Sequence, residues 1–182
     1  MNREITYVLA LFIVGTAVAS ERVITFKNYC SNPVWFGFAG GASTNRYYSG
    51  AQCNSNSDCF SGTTCVQTGA IKQCFWNNPV PSNGNYKLVY GQSNSVSIPI
   101  SSEDYNIVWS GAIAGRTNCN ANTNSCDTAD CGAGPNGCKP SQGFNQPATQ
   151  AEVTFQKKDN DYYDVEIING VNIPVSMGPN NA

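Results

Sequence analysis

Nine cysteines give this 182-residue sequence its most evident chemistry, the formation of disulfide bonds. Eight of them fall in two dense stretches, and Cys30 stands apart from both. In an exported chain this density favours structural disulfides over metal or redox chemistry. Because nine is an odd number, at least one cysteine has no partner within the chain. The two stretches contain Cys53, Cys59, Cys65 and Cys74, and Cys119, Cys126, Cys131 and Cys138.

The sequence contains no histidine, and this absence removes several kinds of catalytic site. Ser-His-Asp and Cys-His nucleophilic mechanisms both require an imidazole, as do many metal sites. In an exported chain, cysteines are expected to form disulfides, so a zinc site made of thiolates alone is not expected. We therefore expect no metal and no other cofactor.

The charge pattern also restricts the partners of the protein. The net charge is −2, and the basic residues do not cluster, so nucleic acid and anionic membranes are not expected partners. The polarity comes mainly from Asn, Ser, Thr and Gln. Such uncharged hydrogen-bonding groups suit neutral ligands such as polysaccharides, although they equally serve solubility.

Residues 1–20 have the pattern of a secretory signal peptide. Arg3 precedes an apolar run at 7–14, and small residues follow at 15–19. The run is shorter than the roughly 20 apolar residues that span a bilayer. The sequence predicts a secreted, extracellular protein whose mature domain covers 21–182.

Short alternating segments with turn residues between them predict an all-β protein, an antiparallel β-sandwich. The predicted strands lie at 22–27, 33–38, 86–90, 95–98, 105–109, 151–156 and 163–167. A cysteine-rich segment at 51–80 interrupts the series and is predicted to be a small disulfide-stapled insert. Its four cysteines allow three pairings, and their spacing does not choose among them.

Several strings resemble, in the same order, those of the thaumatin-like proteins, also called pathogenesis-related group five or osmotin-like proteins. They are ITFKNYCSNPVW at 24–35, GRTNC at 115–119, CDTADCG at 126–132, QAEVTF at 150–155 and DYYDVEIINGVNIPV at 161–175. The resemblance implies a flattened β-sandwich, a disulfide-rich second domain and an acidic cleft between the two. The sequence contains no segment that resembles the second domain. One interpretation is therefore that this chain is an incomplete gene product.

The resemblance also implies which cysteines pair. The family's disulfides map to Cys119–Cys126 and Cys131–Cys138. Cys30 matches a family cysteine whose partner lies in a C-terminal strand that this sequence lacks. We therefore expect a free thiol or an intermolecular bond at Cys30, which allows a dimer. An unclosed sandwich also leaves a bare strand edge, which favours association.

By the same resemblance, the ligand-binding residues of the cleft are Arg116, Glu152, Asp164 and Asn169, where Asn169 stands at a family aspartate position. The leading hypothesis is binding of cell-wall β-1,3-glucan in a defence or antifungal role, without efficient catalysis. The first alternative is a weak endo-β-1,3-glucanase in which Glu152 and Asp164 supply the two carboxyl groups of glycoside hydrolysis. The second alternative is an interaction or inhibitor module that acts through the cysteine-rich insert.

A simpler interpretation of the same carboxylates remains open: Glu152 and Asp164 are polar residues on the solvent side of a sheet. Trp35 and Trp109 are expected to fill the core. Trp76, which lies in the insert near prolines, is the aromatic residue expected to be exposed and available to stack on sugar.

Overall fold

Nine short β-strands form most of the regular structure, and the computed structural model describes residues 21–179. The expected signal peptide at 1–20 and residues 180–182 lie outside the described residues. Within residues 21–179, helix is limited to two 3₁₀ turns, and no helix is long and apolar enough to cross a membrane. The predicted all-β fold is confirmed. The strands are β1 (Glu21–Lys27), β2 (Val34–Gly40), β3 (Thr63–Thr68), β4 (Ile71–Trp76), β5 (Lys87–Leu88), β6 (Ser93–Pro99), β7 (Ile107–Arg116), β8 (Gln150–Gln156) and β9 (Tyr162–Glu166).

Two antiparallel layers form the predicted sandwich. The larger layer is a five-stranded sheet in the order β5-β2-β7-β8-β9, and the smaller layer is the β1–β6 ribbon. Phe26 of β1 stacks on Phe36 of β2, with ring centroids 4.1 Å apart. Full burial of a side chain of this size contributes about 1.5–3 kcal/mol. The buried core consists of Phe36, Phe38, Trp76, Tyr86, Leu88, Val96, Ile98, Val108, Trp109, Ile113, Ala151 and Val153.

The cysteine-rich insert folds as a hairpin, β3–β4, between β2 and β5. Its disulfides are Cys53–Cys65 and Cys59–Cys74, which selects one of the three pairings left open by the spacing. Three of these cysteines are buried against one another. The sequence of the hairpin is too polar to form a hydrophobic core of its own. The disulfides therefore form its compact centre.

The expectation that Trp76 is exposed is wrong. Trp76 is only 3% exposed and belongs to the core of the sandwich. Successive residues of a strand point to opposite faces. When Trp76 of β4 enters the core, its neighbour Phe75 must therefore point the other way.

The second cysteine-rich stretch lies between β7 and β8. It contains the two disulfides implied by the family, Cys119–Cys126 and Cys131–Cys138. Each closes a loop with a sequence separation of 7 residues. We call residues 119–147 the disulfide loop.

The β1–β6 ribbon leaves part of the five-stranded sheet uncovered. A cavity of about 730 Å³ runs beside β1 and is lined by apolar residues of β1, β7, β8 and the segment 173–179. β1 pairs only with β6 in the described part of the chain, so its other edge is bare, as expected. Cys30 lines the same cavity and forms no disulfide within residues 21–179.

Candidate functional site

The two candidate carboxylates lie side by side on the sheet face opposite the core. Glu152 of β8 is the direct antiparallel partner of Asp164 of β9, and Ala112 of β7 is its partner on the other side. Directly opposed residues of this kind have Cβ atoms about 4.5–5.5 Å apart. Both carboxylates are solvent-exposed. The period of two places their neighbours Val153 and Ala151 in the core, so the two faces of β8 are chemically distinct.

A third carboxylate joins this pair. Glu166 lies two residues after Asp164 on β9, on the same face, and is the partner of Gln150. Its Oε1 accepts hydrogen bonds from Gln150 Nε2 at 3.1 Å and from Asn169 Nδ2 at 2.9 Å. The sequence interpretation did not name Glu166. The alternation that placed Asp164 on this face was the available signal.

The surroundings of Glu152 change the acidity of its carboxyl group. Partial burial is the largest cause that raises the pKa of Glu152 above its ordinary value, and the negative charges of Glu166 and Asp164 raise it further. Glu152 therefore keeps a proton to a higher pH than an isolated glutamate. Its carboxyl group can then donate a hydrogen bond as well as accept one.

Asn169 lies at the margin of this face, in the turn after β9. Its Nδ2 donates to Glu166, and its Oδ1 accepts a hydrogen bond from Gln146 Nε2 at 2.9 Å. Its backbone oxygen also accepts from the amide of Ala148 at 3.0 Å. Asn169 therefore links the disulfide loop to Glu166, and both ends of its amide group are already engaged.

A cavity of about 330 Å³ opens on the same face beside Glu152. Small residues of β2 and β7, among them Ala39 and Ala112, form its floor. Phe75 of the insert and residues 141–143 of the disulfide loop also line it. Ligand sites usually combine apolar or aromatic walls with a few polar groups, in volumes of about 300–1,000 Å³. The volume and lining of this cavity suit one small polar ring.

Comparison with known proteins agrees with this architecture. The family model described as the Thaumatin family matches residues 63–182, more than half of the chain. The chain belongs to the thaumatin family. Thaumatin-like protein 1 of Prunus persica is 31% identical over 179 residues, which cover 96% of this chain and 54% of that protein. The resemblance seen in the sequence is thereby confirmed.

Two further relatives also match this chain. Thaumatin-like protein 1a of Malus domestica is 31% identical over 175 residues, covering 94% of this chain and 54% of that protein. Pathogenesis-related thaumatin-like protein 3.8 of Cryptomeria japonica is 36% identical over 127 residues, covering 64% and 51% respectively. The chain spans about half the length of these curated relatives of the thaumatin family.

In this member of the thaumatin family, Arg116, which the resemblance assigned to the ligand-binding cleft, does not contact the candidate site. It lies at the end of β7, is 0% exposed and does not line the cavity. Its Nη1 donates to the carbonyl oxygens of Gly134 at 2.6 Å and Gly137 at 2.7 Å. Its Nη2 and Nε donate to the carbonyl oxygens of Phe36 and Trp35. A buried guanidinium held in this way fastens the disulfide loop to β2.

Burial of Arg116 has an electrostatic cost. Desolvation lowers its pKa to about 10, and the charge of Asp130 acts in the opposite direction. Space for the guanidinium is provided by Gly37, where a Cβ atom would lie 2.8 Å from Arg116 Nε. The missing side chain at position 37 therefore allows this contact, which stabilises the loop that borders the cavity.

Proposed function

We propose that this protein is a secreted, defence-type member of the thaumatin family that binds cell-wall β-1,3-glucan without efficient hydrolysis. The observation that carries the proposal is the 330 Å³ cavity, which is bordered by Glu152 and by the aromatic ring of Phe75. Asp164 extends the same polar face beyond the cavity, and Asn169 lies at its margin. Carboxylates and amides can hydrogen-bond sugar hydroxyls, while an aromatic ring can pack against the apolar face of a sugar.

Secretion and a defence or antifungal role belong to the same proposal. The leader-like pattern at 1–20 and the four disulfides within residues 21–179 support an oxidising, extracellular location. The name of the Cryptomeria japonica relative, a pathogenesis-related protein, supports the defence role.

Binding is favoured over cleavage because of how the carboxylates are arranged. Glycoside hydrolysis needs two carboxyl groups that flank the scissile bond, about 5–5.5 Å apart in retaining enzymes and roughly 6.5–9.5 Å apart in inverting enzymes. Glu152 and Asp164 project from neighbouring strands on one sheet face, and both are exposed to solvent. A sugar lying on this face would meet both groups from the same side. Such a surface can bind a ligand, but it excludes water poorly.

The proposal is tested by co-sedimentation of the mature protein with insoluble β-1,3-glucan, with cellulose and chitin as control polysaccharides. Selective pelleting with β-1,3-glucan is the expected result. A protein that stays in the supernatant with all three polysaccharides would overturn the proposed ligand.

A weak endo-β-1,3-glucanase is the second candidate, and the raised pKa of Glu152 favours it. A carboxyl group with a raised pKa keeps its proton to a higher pH, and the protonated form can donate that proton to a leaving oxygen. Reducing-end release from soluble β-1,3-glucan distinguishes the candidates when the parent is compared with Glu152→Gln and Asp164→Asn. Release that exceeds background in the parent and disappears in both variants would establish the enzyme.

A further inference from the structure

The cysteine-rich insert contributes an aromatic ring to the candidate site. Phe75 lies on β4, and its backbone forms an isolated antiparallel bridge with Ala42, just beyond β2. The side chain is half-buried and lines the 330 Å³ cavity. Phe75 and Glu152 therefore border one cavity although they come from the insert and from the sandwich.

The hairpin that carries Phe75 is held firmly on both sides of this residue. Trp76 is buried in the core, and its backbone amide donates to the carbonyl oxygen of Gly41 at 3.0 Å. Cys74 forms the disulfide with Cys59, and its carbonyl oxygen accepts from the amide of Ser43 at 2.8 Å. The backbone that carries the ring is thereby held on both sides, so little backbone entropy is lost when a ligand packs against the ring.

Contact between the insert and the sandwich is close enough to require a glycine. A Cβ atom at Gly40 would lie 2.0 Å from the carbonyl oxygen of Trp76. On the far side of the insert, Glu103 accepts hydrogen bonds from the amide of Ser61 at 2.9 Å and from Arg46 Nη2 at 2.8 Å. The insert is thus packed onto the sandwich as a rigid wall of the cavity.

The remaining sides of the cavity complement an aromatic wall. Ala112 is the residue opposite Glu152 on β7, and its small side chain leaves room above the sheet. Ser141 and Gln142 of the disulfide loop provide a hydroxyl and an amide, and Glu152 provides a carboxyl group. One apolar wall and several hydrogen-bonding groups match a pyranose ring, which has apolar C–H faces and hydroxyls around its edge.

We propose that Phe75 is the stacking platform for a pyranose ring in this cavity, and that the cysteine-rich insert thereby determines which polysaccharide the protein binds. This inference rests on the proposed function, because it takes the sugar to lie in this cavity. It does not depend on which glycosidic linkage the protein recognises. It assigns the insert a role in ligand specificity.

The test measures the affinity of soluble β-1,3-glucan, β-1,4-glucan and chitin oligosaccharides for the parent and for three variants at position 75 or nearby. Phe75→Leu keeps an apolar side chain in the half-buried position but removes the flat ring, and Phe75→Trp enlarges the ring. Ile71→Ala is the matched control, because Ile71 is an exposed residue on the same face of β4 and does not line the cavity. Melting curves of every variant establish that each one folds.

We expect Phe75→Leu to weaken binding of the recognised oligosaccharide by at least about tenfold, as loss of an aromatic anchor commonly does. Phe75→Trp and Ile71→Ala should bind within about twofold of the parent. In protein with isotopically labelled phenylalanine, the ring signals of Phe75 should shift when the oligosaccharide binds.

The outcomes separate this inference from the proposed function. Parent-like binding by Phe75→Leu, together with loss of binding by Glu152→Gln, would overturn the inference and leave the glucan site in place. Phe75-dependent binding of an oligosaccharide without β-1,3 linkages would support the inference and overturn the proposed ligand. Absence of any shift in the Phe75 ring signals with all three oligosaccharides would overturn the inference directly.

Discussion

Glu152 and Asp164 are directly paired residues of two antiparallel strands, and both project from the sheet face that the core does not use. This pairing follows from the registers of β8 and β9, because Ala151 and Val153 on the other face of β8 are buried. A one-residue slip would exchange the two faces, so burial of the core fixes the position of the carboxylates. The candidate site is thereby built on regular strands, and the two loops that border it are stapled by disulfides.

Neutralising Glu152 should not destabilise the protein. Because the folded-state pKa of Glu152 is raised, its ionisation disfavours folding as the pH rises above the ordinary value of 4.5. At pH 7, Glu152→Gln should therefore match or slightly exceed the parent in free energy of unfolding, by no more than about 0.5 kcal/mol. The difference should vanish near pH 4.

Urea denaturation at pH 4 and pH 7 checks this expectation, with Asp104→Asn as the control. Asp104 is an almost fully exposed carboxylate outside the cavity, at 94% side-chain exposure. A loss of more than about 1 kcal/mol in Glu152→Gln at pH 7 would mean that Glu152 has a structural role.

Replacing Arg116 should act on stability and on the disulfide loop. Arg116→Ala leaves the carbonyl oxygens of Gly134 and Gly137 without their buried donor, because both accept from Arg116 Nη1. We expect a loss of at least about 3 kcal/mol in the free energy of unfolding, together with faster proteolysis within the disulfide loop. Arg116→Lys keeps the charge but cannot reproduce the planar fork, so it should recover only part of this loss.

Denaturation and limited proteolysis of both Arg116 variants provide the measurement. A loss below about 1 kcal/mol in Arg116→Ala, with unchanged cleavage of the loop, would contradict the structural role assigned here.

The pH dependence of stability should reveal how the insert is attached. The amide of Ser61 and then the guanidinium of Arg46 are the main causes that hold the pKa of Glu103 below its ordinary value of 4.5. A depressed folded-state pKa stabilises the protein above pH 4.5, and this stabilisation is lost as the pH falls below that value. Glu103→Gln should therefore lower the free energy of unfolding at pH 7 by roughly 0.5–1 kcal/mol, after allowance for solvent screening.

Thermal unfolding from pH 3 to pH 7 checks this, and the curves for Glu103→Gln and the parent should converge at the acidic end. Curves that stay parallel across the whole range would show that the charge of Glu103 does not attach the insert.

Some of these features were predictable from the sequence, and others were not, for physical reasons. The alternation in 151–156 and 163–167 correctly placed β8 and β9, because one face of each strand is apolar. The alternation in 105–109 predicted a strand that ends at Trp109, whereas β7 continues to Arg116. Its second half consists mainly of small residues, which form a strand because β2 and β8 hold them on both sides and not because of their own pattern.

The insert and Arg116 show what a sequence pattern leaves out. The position of Trp76 in the polar insert, near prolines, predicts an exposed ring, but its burial depends on a core that distant strands assemble. Arg116 was assigned to the cleft by its position in a motif, whereas its burial depends on the open space above Gly37 and on carbonyl groups of the disulfide loop. Both placements depend on contacts between residues far apart in the chain.

Cys30 should react differently from the other cysteines. Its side chain is partly exposed beside the cavity of about 730 Å³, and it forms no disulfide within residues 21–179. We expect a free thiol or an intermolecular disulfide at this position. Non-reducing electrophoresis and alkylation followed by peptide mapping should show either one modified Cys30 per chain or a dimer that Cys30→Ser abolishes. An intramolecular disulfide at Cys30 would contradict this assignment.

The central claim is that the face carrying Glu152 and Asp164 binds β-1,3-glucan. The most direct test is a binding isotherm on β-1,3-glucan for the parent, for the Glu152→Gln/Asp164→Asn double variant and for the Asp104→Asn control. We expect saturable binding by the parent and the control, and at least about tenfold weaker binding by the double variant. Equal affinity in all three proteins, or no binding by the parent, would contradict the claim.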